Sequence, residues 1–75
     1  MNIPQQVKNE AWDLIEQYGD SFDYLGKYEG QDVYRFRFPD DVDVGYPVVY
    51  LFAGGEALEV SDFWALDIVR SFIKN

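Results

Sequence analysis

The stretch from Tyr46 to Val60 constrains this chain more than any other. Two apolar, β-prone runs flank Gly54-Gly55. A two-residue connection of that kind needs positive φ, which glycine supplies without a Cβ clash. The stretch therefore reads as a hairpin with Ala53 opposite Glu56, Leu51 opposite Leu58 and Val49 opposite Val60. Side chains alternate along a strand. Val49, Leu51, Leu58 and Val60 then form one apolar face, and Val48, Tyr50, Phe52, Ala57 and Glu59 form the other.

The segments before the hairpin read as a helix and a second strand pair. Pro4 to Tyr18 carries Val7, Ala11, Leu14, Ile15 and Tyr18 on one helical face, with Pro4 at the first helical position and Gly19 just past the end. Trp12 lies off that stripe and is expected to be half exposed or to pack against a neighbouring loop. One strand is expected from about Phe22 to Tyr28 and the next from about Asp32 to Phe38, joined by Glu29-Gly30-Gln31. A three-residue loop would set Phe22 against Phe38, Tyr24 against Phe36, Gly26 against Tyr34, Asp23 against Arg37 and Leu25 against Arg35. This register collects the aromatics on one face and lays a ring over Gly26. Pro39 to Gly45 is a turn-rich connection, and it leaves the strand order open.

After the hairpin, Ser61 or Asp62 caps a helix that runs to the end of the chain. Asp62 and Asp67 fall toward its start, and Arg70 and Lys74 toward its end, as the helix dipole favours. Trp64, Ala65, Leu66, Ile68, Val69, Phe72 and Ile73 span an arc of about 200° at 100° per residue. That is too wide for packing against a single surface.

The order is thus αββββα. The expected fold is α+β: a two-layer sandwich in which a four-stranded antiparallel meander carries both terminal helices on one face. Residues 1–75 form one domain in this reading. A chain this short buries only about 60% of its unfolded surface, so its core must be dense. Cysteine is absent, and no disulfide helps. The 48% hydrophobic and 19% aromatic content supplies the core instead.

A formal net charge of −8 argues against direct nucleic-acid binding, which needs cations to displace counterions from phosphates. It disfavours anionic membrane surfaces for the same reason. No run is long and apolar enough to span a bilayer, and Met1 to Pro4 lacks the basic start and apolar run of a signal peptide. The cytoplasm is the expected location.

Histidine and cysteine are both missing. Their absence removes Ser-His-Asp and Cys-His catalysis and most zinc sites. Asp40, Asp41 and Asp43 fail the calcium-loop spacing, since Val42, Val44 and Leu51 stand where ligands are needed. Gly54-Gly55 matches no phosphate-binding pattern. Neither a catalytic residue, a metal nor a cofactor is expected, and the protein reads as a non-enzyme.

In a two-layer fold the outer sheet face should be polar. Here it would present Tyr50 and Phe52 beside Arg35 and Arg37, the residue types enriched at protein interfaces. The expected function is a protein-interaction domain whose partner is another protein or a second copy of the chain. It would use Arg35, Arg37, Tyr50 and Phe52, or the wide apolar arc of the last helix at Trp64. Two other arrangements fit the same residues: the arginine stems could cover the rings, or Tyr50 and Phe52 could face the core. The alternative function is an acidic inhibitor. Glu10, Asp13 and Glu16, continuing toward Asp20, would mimic a phosphate backbone and occupy a basic site on another protein.

Overall fold

Gly54 and Gly55 adopt φ values of 59° and 77°, as a tight hairpin turn requires. They join β3 (Val49–Ala53) to β4 (Glu56–Val60), paired Val49–Val60, Leu51–Leu58 and Ala53–Glu56 as expected. β1 (Phe22–Tyr28) and β2 (Gln31–Phe36) complete one antiparallel sheet in the order β1-β2-β3-β4. Helices α1 (Gln5–Glu10) and α2 (Trp12–Tyr18) precede the sheet, and α3 (Asp62–Ser71) follows it. The chain is α+β with αββββα order and a meander sheet. This computed structural model describes residues 2–73, so the expected position of Lys74 lies outside the described residues.

The first helix is interrupted at Ala11, whose ψ of 8° flattens one residue between α1 and α2. Helical bonding passes through the break: the Ala11 N–H donates to Val7 O at 3.0 Å, and the Ile15 N–H to Ala11 O at 2.9 Å. Val7 and Ala11 therefore stay buried on one face, with Leu14, Ile15 and Tyr18 packed beside them. Pro4 caps α1 from an extended conformation instead of opening it, and its carbonyl accepts from the N–H groups of Val7 and Lys8.

The β1–β2 register differs from expectation. The turn has two residues, Glu29 (φ 50°) and Gly30 (φ 81°), and pairs Tyr28 with Gln31. A bulge between Tyr24 and Gly26 then restores aromatic pairing, with Tyr24 opposite Tyr34 and Phe22 opposite Phe36. One extra residue in β1 makes up for the shorter turn. Gly26 (φ 131°) does lie under a ring, but the ring is Phe72, 3.1 Å from where a Cβ would stand.

The β2–β3 pairing determines the layers. Tyr34 lies opposite Tyr50, and Val33 opposite Leu51. Phe22, Tyr34, Phe36 and Tyr50 consequently share one face, while Val33, Val49, Leu51 and Val60 share the other. Both faces are apolar, and each needs a cover. The α1–α2 stripe packs on the aromatic face. Ala65, Ile68 and Val69 of α3 pack on the aliphatic face. The terminal helices thus lie on opposite faces, and the expected two-layer sandwich becomes helix, sheet, helix. The aromatic layer is built from edge-on rings: Phe22–Phe36 centroids are 5.4 Å apart and Phe22–Tyr50 6.1 Å. No helix among the described residues is long and apolar enough to cross a membrane.

Candidate protein-interaction surface

The covered sheet separates the residues expected to form the outer-face site. Tyr50 is completely buried under α1 and α2, and Phe52 packs partly buried beside it. Burial pushes proton loss from the Tyr50 phenol far above the ordinary range, and a hydrogen bond to Glu59 adds to the shift. That bond, from the Tyr50 hydroxyl to Glu59 Oε1, is 2.7 Å long.

Arg35 lies on the opposite face, beside Val49. Its Nη2 donates to Asp23 Oδ2 at 3.0 Å, while Arg37 Nη1 lies 3.8 Å from Asp23 Oδ1. Asp23 therefore faces Arg35 directly, where Arg37 was expected. The aromatic-and-arginine surface does not exist as one patch, because Tyr50 and Phe52 are core and the arginines stand across the sheet from them. The reason is the parity of the β2–β3 pairing.

Trp64 lies on the first turn of α3 and is 53% exposed. The apolar arc of that helix divides. Ala65, Ile68 and Val69 are buried, whereas Trp64 and Ile73 are exposed at its two margins. Phe63 is more exposed still, at 69%. It points away from Ala65, Ile68 and Phe72, on the side that sequence periodicity assigns to polar residues. Its ring packs against Tyr46 from the β2–β3 connection, with centroids 5.0 Å apart. Phe63 and Tyr46 were not singled out from sequence. The available signal was a phenylalanine standing opposite the buried stripe of an amphipathic helix.

Just before these rings the backbone is unusual. Asp62 holds a φ of 61°. A non-glycine residue in the left-handed region is strained, and such strain persists where surrounding structure fixes it. Apart from Asp62, the non-glycine residue with positive φ among those described is Glu29, in a hairpin turn. The conformation of Asp62 sets the angle at which α3 leaves β4, and so the direction in which Phe63 and Trp64 are presented.

The cations are largely engaged elsewhere. Lys8 pairs with Asp20 at 3.1 Å, and Lys27 with Asp32 at 3.2 Å. The Tyr24 hydroxyl also donates to Asp32 at 2.8 Å, and together these partners hold the Asp32 carboxyl below its usual range. Glu10, Asp13 and Glu16 remain exposed along α1 and α2. Set against known protein families, curated proteins and solved structures, the chain matches none.

Proposed function

We propose that this protein is a non-enzymatic protein-interaction domain that presents Tyr46, Phe63 and Trp64 to another protein. The observation that carries this reading is the pair of large aromatic side chains held outward on consecutive residues of α3, with Tyr46 against one of them. Exposed aromatics of this kind are typical anchors of protein interfaces. Asp62 and Asp67 are exposed nearby in the chain and supply an acidic margin.

The test compares the native chain with the double variant Phe63→Ser/Trp64→Ser. Both residues are largely exposed, so the variant should melt within about 0.5 kcal/mol of the native chain. It should lose the protein retained from the source lysate at high salt, and light scattering shows whether that partner is a second copy. Retention by the double variant, together with its loss on charge reversal at Glu10, Asp13 and Glu16, would overturn this reading in favour of the acidic inhibitor. An acidic mimic releases its target as salt screens the charges, whereas an apolar contact survives.

A further inference from the structure

β4 is an edge strand. In a two-residue hairpin the pair flanking the turn exchanges hydrogen bonds, and the pattern alternates from there. Glu56, Leu58 and Val60 therefore bond to β3, while the N–H and C=O groups of Ala57 and Glu59 point away from the sheet. The other edge, β1, is blunted by its bulge and by Lys27, devices that discourage strand addition. β4 has no bulge, proline or lysine.

A groove of about 580 Å³ accompanies this edge. Its lining takes Ala57 from the aromatic face and Gln31, Leu51, Ala53, Glu56 and Leu58 from the aliphatic face, so it bends around β4 at the hairpin end of the sheet. Gln6, Asn9 and Glu10 of α1 form the opposite wall. Leu58 is half exposed there, although its cross-strand partner Leu51 is buried.

We infer that β4 and α1 form a docking groove for an extended segment of another protein, one that alternates Lys or Arg with β-branched apolar residues. The segment adds antiparallel to β4 and bonds to the backbone of Ala57 and Glu59. Its basic side chains fall on the face carrying Glu59 and Glu10. Its apolar side chains fall on the face carrying Leu58. A second copy of the chain is a poor occupant, because pairing two β4 strands through Ala57 and Glu59 would bring the two Glu59 carboxylates together on one face. This surface uses none of Tyr46, Phe63 and Trp64.

The probe is an N-acetylated, C-amidated heptapeptide alternating lysine and valine, at 0.15 M salt. Two controls accompany it: a peptide of the same composition in block order, and the alternating peptide N-methylated on the edge that meets β4. The alternating peptide should bind and slow amide exchange at Ala57 and Glu59. Both controls should bind at least about tenfold more weakly, as the loss of two or more backbone bonds implies. Equal binding of all three peptides, no binding of the alternating one, or unchanged exchange at both amides would overturn the proposal. On the protein side, Ala57→Pro removes an outward N–H without touching the ladder to β3, and should abolish capture. If that variant melts early, the N-methyl comparison still decides the question on the unaltered chain.

Discussion

Tyr50 shows how one side chain can serve both packing and polar satisfaction. Its ring has no exposure, yet its hydroxyl reaches the exposed carboxylate of Glu59. Tyr50→Phe keeps the packing and frees Glu59 to water, so it should cost about 1–2 kcal/mol, against about 3–5 kcal/mol for Tyr50→Ala. Chemical denaturation of the two variants separates these values. The phenol also links stability to pH. Its pKa is raised in the folded state. The associated stability is therefore fully present below the unfolded value near 10 and is lost as pH rises beyond it. The loss is at most about 1.4 kcal/mol per pH unit for one such group. Melting curves above about pH 10 should fall more steeply for the native chain than for Tyr50→Phe. Tyr24, Tyr28 and Tyr34 are shifted in the same direction and leave the variant a residual slope. That Tyr50 is core was not readable from its neighbours, because both alternating faces of β3 are apolar.

The two hairpins differ in what their sequences reveal. In β3–β4 the Gly54-Gly55 turn and the apolar alternation agree, and every expected pair is present. In β1–β2 the turn and the aromatic pattern point to different registers, and a bulge reconciles them. Neither composition nor periodicity marks a bulge, although Gly26 in mid-strand was a trace of it. The β3–β4 turn can be improved. Gly54 has a φ of 59°, which asparagine also tolerates, and Asn-Gly is the preferred pair for a turn with two positive φ values. Gly54→Asn should raise the urea midpoint, with a gain of about 0.4–1 kcal/mol from reduced freedom in the unfolded chain. An unchanged or lower midpoint would show that the turn departs from that conformation in solution.

For the molecule as a whole, covering both sheet faces buries Tyr50 and the aliphatic residues of β3, which a two-layer reading had left in part facing water. The wide arc of the last helix pointed to surplus surface, and Trp64 and Ile73 at its margins are what stays exposed of it, while Phe63 stands outside the arc. The sequence-level reading of the layers failed at one joint, the connection between β2 and β3, because that segment carries no signal for which faces will align. Acidic groups outnumber basic ones by fourteen to six, so repulsion should outweigh the few surface ion pairs. The melting temperature should accordingly rise between about 10 and 150 mM salt, as the screening length contracts. A fall over that range would mean that pairs such as Lys8–Asp20 dominate.

The division of the core between two helices also bears on what a shortened chain exposes. α1, α2 and the meander precede α3 in the chain, and together they hold every residue of the aromatic layer. Val33, Val49, Leu51 and Val60 have no cover until α3 folds back. A chain truncated after Ser61 would therefore display a bare aliphatic sheet to chaperones and to other copies of itself.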